Sequence, residues 1–292
     1  MQNAPLRALL ASKPDRLVVE PIVRAALLED LAHGGDITTD AIVPAGLRTT
    51  ARIVARANGV IAGLDAALLA FDVLEPGATR SDVRVPDGSA VTRDSIVADV
   101  EGPARVLLTG ERTMLNLLCR LSGIATATRT LVDAVAGTRA RIVDTRKTTP
   151  GLRVLEKYAV RCGGGANHRF GLDDAVLIKD NHLALAGSIH DAVTRVRERN
   201  GHMVKVEVEV DTLEQLREAL REPIDAVLLD NMEPATLREA VRIVNGAVLT
   251  EASGGIRPET IAAVAESGVD LISVGWLTHS APALDLALDI AL

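Results

Sequence analysis

The stretch VKVEVEVDTLEQLREALREPIDAVLLDN, residues 204–231, decides the fold. It reads as a short apolar strand over 204–210, an amphipathic helix over 213–220 and a second strand over 226–229. Strand, helix and strand in such close order form a β-α-β unit, whose strands lie parallel and whose crossover is right-handed. The same rhythm extends outward. Strands are predicted at 140–143 and 175–178 before the stretch, and at 247–250 and 271–274 after it, with a helix at 234–244. Such alternation gives either an open doubly wound sheet or a barrel. A full eight-unit barrel takes about 250 residues, and only six clear strands fit after Arg139. The prediction is an α/β fold containing a reduced parallel barrel.

The first part of the chain has another character. Pro21 is read as opening a helix that runs to Leu31 and is closed by Gly34-Gly35. Residues 50–57 alternate as a half-buried strand, and Asn58-Gly59 predicts a hairpin turn into residues 60–63. Residues 83–85, the turn Pro86-Asp87-Gly88 and residues 96–100 predict further antiparallel pairing. Residues 111–121 place Met114, Leu115, Leu117 and Leu118 on one helical face and read as a connector.

Composition narrows the function. In 292 residues, 48% are hydrophobic and 24% charged, which supplies a large core and excludes a disordered or fibrous chain. No apolar run reaches the roughly 20 residues a membrane span needs, and the patch Ala8–Ala11 is too short for a signal peptide. The expectation is a soluble cytoplasmic protein. The net charge of −7 and only four aromatics (Phe71, Tyr158, Phe170, Trp276) argue against nucleic acid. Cys119 and Cys162 stand too far apart for a local metal or redox pair and are read as reduced and structural.

A barrel builds its active site at the carboxyl ends of its strands. Those ends read Asp144-Thr145-Arg146-Lys147, Lys179-Asp180-Asn181-His182, Glu209, Asp230-Asn231, Ser253-Gly254-Gly255 and Gly275. Six polar or glycine ends in succession predict a cleft. Arg146, Lys147, Arg169 and Lys179, beside His168, form a cationic group that calls for an anionic ligand, since guanidinium forks hold paired oxygens. Arg153, Lys157 and Arg161 read more simply as surface residues paired to nearby acids. Glu209 and Asp230 suit a sugar diol, Mg²⁺ or a developing cation, with salt bridges to neighbouring lysines as the plain alternative. Ser253-Gly254-Gly255 and Ser273-Val274-Gly275 follow the last two strands, where barrels often bind phosphate. Gly163-Gly164-Gly165 precedes Asn167, His168 and Arg169 as a tight loop. No zinc spacing and no nucleophile elbow occurs.

Together these residues resemble a known family. Asp144-Thr145-Arg146-Lys147-Thr148-Thr149-Pro150-Gly151, Asn167-His168-Arg169 and Ile178-Lys179-Asp180-Asn181-His182 closely resemble the carboxylating nicotinate-nucleotide pyrophosphorylases, or quinolinate phosphoribosyltransferases. Gly35-Asp36-Ile37-Thr38-Thr39, Glu111-Arg112-Thr113, Val208-Glu209-Val210, Leu229-Asp230-Asn231 and Glu251-Ala252-Ser253-Gly254-Gly255-Ile256 extend the match over nearly the whole chain.

The resemblance implies an N-terminal α/β sandwich over 1–115, a type II phosphoribosyltransferase-like barrel over 116–283, and a last helix at 284–292 returning to the sandwich. It implies that quinolinate and phosphoribosyl pyrophosphate give nicotinate mononucleotide, pyrophosphate and CO₂, with Mg²⁺. Arg112, Arg146, His168, Arg169 and Lys179 would hold quinolinate, with Arg112 reaching a neighbouring subunit's site in a homodimer. Thr145 joins the substrate-contacting residues. Lys147, Glu209 and Asp230 would hold the phosphorylated sugar and its metal, and the loops Ser253, Gly254, Gly255 and Ser273, Val274, Gly275 its phosphate. Lys147, Lys179, Glu209 and Asp230 are the expected catalytic residues. Rival readings are a Schiff-base aldolase using Lys179, a paralogue of the same fold in molybdenum transport, and a non-catalytic metabolite-binding protein.

Overall fold

The computed structural model describes residues 13–290, so the patch Ala8–Ala11 lies outside the described residues. Along the chain come α1 (Arg16–Leu31), α2 (Ile37–Ile42), β1 (Arg48–Ala55), β2 (Gly59–Val60), α3 (Leu64–Leu74), β3 (Arg80–Val83), β4 (Ala90–Val91), β5 (Ile96–Pro103) and α4 (Ala104–Ala134). Then follow β6 (Arg141–Val143), α5 (Arg153–Cys162), β7 (Val176–Ile178), α6 (Asp180–Ala186), α7 (Ile189–Arg199), β8 (Val206–Val210), α8 (Leu213–Ala219) and β9 (Ala226–Asp230). The chain closes with α9 (Pro234–Val244), β10 (Leu249–Ser253), α10 (Ile261–Ala265), β11 (Leu271–Ser273), α11 (Trp276–His279) and β12 (Leu286–Ile290).

Two compact units interleave in sequence. One takes the described residues up to Arg129, Thr148–Gly164 and those from Leu277 on; the other takes Thr130–Lys147 and Gly165–Trp276.

The first unit holds an antiparallel sheet of order β12-β1-β5-β3. Along β1, Ala51, Ile53 and Ala55 are buried, while Arg52 points outward and pairs with Asp99 of β5 at 3.1 Å. The half-buried alternation expected of the segment holds as far as Ile53 and then breaks at Val54, which is buried as well, where the register with β5 shifts. Asn58-Gly59 does not make a hairpin: β1 pairs with β5 and β12, and β2 pairs with β4. The Asn58 side chain instead accepts the Arg93 N–H at 3.0 Å, tying the turn to a different segment. Helix α1 begins at Arg16, before Pro21, because Asp15 accepts the Leu17 N–H at 2.8 Å and caps the helix earlier.

The last segment is a strand, not a helix. Leu286 and Leu288 alternate into the core, and β12 pairs antiparallel with β1. Gly35-Asp36-Ile37-Thr38-Thr39 is a helix cap, since Asp36 accepts the Thr39 N–H at 2.9 Å and the Thr109 hydroxyl at 3.0 Å. Helix α4 spans 31 residues, well beyond the connector expected at 111–121. Its Gly123 permits close packing, because a side-chain carbon there would fall 2.0 Å from the Pro282 carbonyl oxygen. Fully buried Leu107, Met114, Leu118 and Ile124 face the unit's core from this helix, each worth roughly 1.5–3 kcal/mol of burial.

The second unit is a six-stranded parallel sheet of order β6-β11-β10-β9-β8-β7. Each strand from β7 to β11 pairs with the next in sequence, and β6 lies beside β11 rather than β7. Right-handed crossovers stepping always the same way put the helices on one face. The first strand meeting the last requires the sheet to curl on itself, leaving one seam between β6 and β7. At that seam Ala166 bridges to Val143 and donates its N–H to the Ile142 carbonyl at 2.8 Å. This is the reduced barrel. Strand β10 starts later and runs further than predicted, because the Ala247 N–H still closes α9 on the Val244 carbonyl at 2.9 Å.

Candidate active site

The residues read as strand ends do stand at the carboxyl ends of the barrel strands. Asp144 follows β6, Lys179 follows β7, Glu209 is next to last in β8, Asp230 and Ser253 end β9 and β10, and Val274-Gly275 follow β11. Thr145, Arg146, Lys147, His168 and Arg169 belong to the same unit. Arg112 lies on the exposed side of α4, in the first unit.

The end of β6 is organised by Asp144, which is fully buried. One of its oxygens accepts the His168 N–H at 2.9 Å and the other the Asn167 side-chain amide at 2.5 Å. The segment after the triple glycine is thereby clamped to β6. Arg169 donates to the Ala175 carbonyl at 3.0 Å, and burial and the charge of Arg146 both push its pKa down. The two guanidiniums are thus near enough to repel. The buried Nε of Arg146 has no hydrogen-bond partner among the described residues. Like charges held together with a donor unused describe a site for an anion.

At the ends of β7 to β9, Lys179 Nζ sits 2.6 Å from Glu209 Oε2, the salt bridge that the plainer reading anticipated. Asp230 accepts the Asn231 side-chain amide at 2.6 Å. Burial, then the charge of Asp211, raise the Asp230 pKa, while Lys179 and Lys147 oppose the rise. Glu209 and Asp230, near the carboxyl ends of neighbouring strands, offer the hard oxygen donors that Mg²⁺ prefers, so the residues present fit that ion. Gly254 adopts φ +88°, and a side-chain carbon there would lie 2.1 Å from Asn231 Oδ1. Only glycine fits this loop against Asn231.

The sequence reading missed Glu207 and did not single out Glu251. Both are buried, on the barrel's inner face with His168. His168 Nε2 lies 3.1 Å from Glu207 Oε2 and 3.6 Å from Glu251 Oε2. One ligand atom from each of the three lies within 4.8 Å of the others, which is metal-like spacing. Yet His168 Nδ1 accepts the Arg169 N–H at 2.7 Å, so the neutral ring carries its proton on Nε2. A metal at Nε2 would have to displace the ring's only proton. The cluster is a hydrogen-bonded one.

Burial, then the Glu207 charge, push the Glu251 carboxyl up to about 7 from 4.5. A carboxyl harder to ionise when folded loses stability as pH rises from the unfolded value through the folded one. Glu251→Gln removes that ionisation. Its stability relative to wild type should therefore improve by about 1–3 kcal/mol between pH 5 and pH 8, measured by urea unfolding. A difference that does not change with pH would contradict the raised value.

A cavity of about 590 Å³ opens at the opposite, amino ends of the strands, lined by Ala175, Lys205, Asp225, Leu249 and Asp270 and reaching His168. Its Asp225 is already paired, held by Lys205 at 2.6 Å and by Arg197 at 2.9 Å. Of the helical cations, Lys157 is wholly buried and Arg161 lies over the Tyr158 ring at 5.8 Å, so neither is the simple surface residue expected. Both cysteines are free, and burial pushes the Cys162 thiol up to about 12, consistent with a structural role.

Comparisons with known proteins agree with this geometry. The family model described as quinolinate phosphoribosyl transferase, C-terminal domain, matches residues 124–289, and that for the N-terminal domain matches residues 36–122. The nicotinate-nucleotide pyrophosphorylase (carboxylating) of Mycobacterium leprae (strain TN) is 52% identical over 272 residues, 92% of this chain and 95% of its own. A probable nicotinate-nucleotide pyrophosphorylase (carboxylating) of Bacillus subtilis (strain 168) is 44% identical over 95% of both chains. The solved structure of the nicotinate-nucleotide pyrophosphorylase from Francisella tularensis has a TM-score of 0.92 at 40% identity, covering 96% of this chain and 99% of that one.

Proposed function

We infer that this chain, which belongs to the quinolinate phosphoribosyl transferase family, joins quinolinate to phosphoribosyl pyrophosphate with loss of CO₂. The products are nicotinate mononucleotide and pyrophosphate, and the activity is that of a phosphoribosyltransferase in NAD synthesis. The observation that carries the reading is the Arg146–Arg169 pair with its unused buried donor, which suits a ligand bearing adjacent carboxylates. An aldolase is disfavoured because the Lys179 amine is engaged by Glu209. Relatives this similar over nearly the whole chain disfavour the molybdenum-transport and sensor readings.

In this reading Arg146, Arg169 and Lys179 grip the quinolinate carboxylates, Thr145 lies beside them, and His168 supports the grip from within. Lys147, with the loops Ser253-Gly254-Gly255 and Ser273-Val274-Gly275, takes the phosphorylated sugar. Glu209 and Asp230 would hold Mg²⁺, which neutralises charge on the pyrophosphate when bound. The quinolinate nitrogen attacks the anomeric carbon as pyrophosphate leaves, and the carboxylates stabilise the positive charge that develops on the sugar. The ribosylated ring nitrogen is then cationic beside the C2 carboxylate. Loss of CO₂ leaves an electron pair at C2 that this charge stabilises, and a proton fills the position. The protein's main task is to orient. Arg112 completes a site in a partner copy, the assembly is a homodimer, and its place is the cytoplasm.

The test is product stoichiometry. Nicotinate mononucleotide and CO₂ should form in equal amounts only when quinolinate, phosphoribosyl pyrophosphate and Mg²⁺ are all present. Efficient use of nicotinate, which lacks the C2 carboxylate, would overturn the assignment.

A further inference from the structure

We propose that Glu207 and Glu251 are positioning residues: they hold the His168 ring in the tautomer that receives the Arg169 amide, and so fix where the Arg169 guanidinium stands. A peptide N–H can only donate, so the 2.7 Å contact from Arg169 N to His168 Nδ1 requires a bare lone pair on Nδ1. The ring proton then sits on Nε2, inside the barrel, where it needs a buried acceptor. Glu207 Oε2 supplies it at 3.1 Å, and Glu251 Oε2 stands 3.6 Å away as a second oxygen on the same side of the ring. With the proton on Nδ1 instead, two N–H groups would face each other and the Arg169 amide would lose its acceptor.

The other supports of this segment do not depend on the ring. Asp144 holds the His168 amide and the Asn167 side chain, and Ala175 holds the guanidinium itself. Residue 169's own backbone is fixed by the His168 tautomer, and the tautomer by the two acids. Glu207 lies two residues before Glu209 on the same face of β8, one layer deeper in the barrel. Glu251 Oε1 is buried without a hydrogen-bond partner among the described residues, the cost of keeping a second carboxyl beneath the ring.

The tautomer is read directly by long-range ¹H–¹⁵N NMR of the free, labelled protein, with the His168 signal assigned by its loss in His168→Asn. Wild type and Glu207→Gln, whose amide oxygen still accepts, should show Nε2–H and a bare Nδ1. Glu207→Ala should show mixed tautomers. The consequence for quinolinate rests on the function inferred above. Glu207→Ala should weaken quinolinate binding by about tenfold or more, Glu207→Gln by about threefold or less, with phosphoribosyl pyrophosphate binding within about twofold in both.

An Nδ1–H in the wild type overturns the proposal, as does a Glu207→Ala variant that keeps both tautomer and quinolinate affinity. Should Glu207→Ala not fold, the wild-type and Glu207→Gln spectra decide, and Nδ1–H in either overturns it. If the tautomer is lost in Glu207→Ala while no form binds quinolinate, the positioning role stands and the substrate assignment falls.

Discussion

Arg146→Lys should lower kcat/KM for quinolinate by about ten- to a hundredfold while leaving phosphoribosyl pyrophosphate affinity nearly unchanged. The substitution keeps the charge and removes the planar fork. Lysine cannot place two parallel donors on one carboxylate, and a hydrogen bond to a charged group is worth about 1.5–3 kcal/mol. The buried, unpartnered Nε marks this guanidinium as one held ready for a ligand, and Arg169 beside it supplies the second cation. Lys147, exposed in the same loop, lies near enough to Asp230 to act on its ionisation. Lys147→Ala should do the reverse and weaken the phosphorylated substrate first, as measured by calorimetry with each substrate alone. Equal weakening of one ligand by both variants would show that the loop serves a single site.

Mixing two inactive variants, Arg112→Ala and Glu209→Ala, should restore activity. Arg112 is exposed on α4, in a different compact unit from Glu209 on the barrel strand β8, so the two changes disable different units. If a site takes Arg112 from one copy and Glu209 from the other, each mixed dimer contains one site free of both changes. Random exchange should then recover roughly a quarter of wild-type sites. The expected rise, from near zero to that level, is large enough to read in a simple product assay. No recovery, after subunit exchange is proven by mass labelling, would confine Arg112 to its own chain's site or to a structural part.

Much of the fold was legible in local pattern. The barrel's strands and α9 were readable because a buried parallel strand is a short apolar run and an amphipathic helix has its own period. The polar strand ends were readable for the same reason: an apolar run stops where the chain leaves the core. The errors that changed pairing or element type fell where a distant partner decides the outcome. Asn58-Gly59 is a strong turn signal, yet Arg93 claims the Asn58 side chain and β1 finds β5 and β12 as neighbours. The last segment was expected as a helix, but Leu286 and Leu288 alternate into a core that only the folded sheet creates.

The candidate site divides along the same line. Arg146, Lys147, Lys179, Glu209 and Asp230 announce themselves as charges at strand ends, a local property of the chain. Glu207 had a readable signal, since Val206-Glu207-Val208-Glu209-Val210 puts both acids on one strand face. Glu251 had no signal beyond its place in the motif Glu251-Ala252-Ser253-Gly254-Gly255-Ile256: β10 was predicted to end at Thr250, and pairing with β9 and β11 carries the strand past it. What no pattern in the chain states is that Glu207, Glu251 and His168 meet. Residues 168, 207 and 251 stand on separate segments, and the curl of the sheet brings them together. Sequence by itself determined the element types of the barrel, the barrel class and the charges at its carboxyl ends, because those follow from side-chain period and burial along one segment. The tertiary structure alone decided the Nε2–H state of His168, because a ring's proton goes where the groups on its two sides, drawn from three segments, leave it an acceptor.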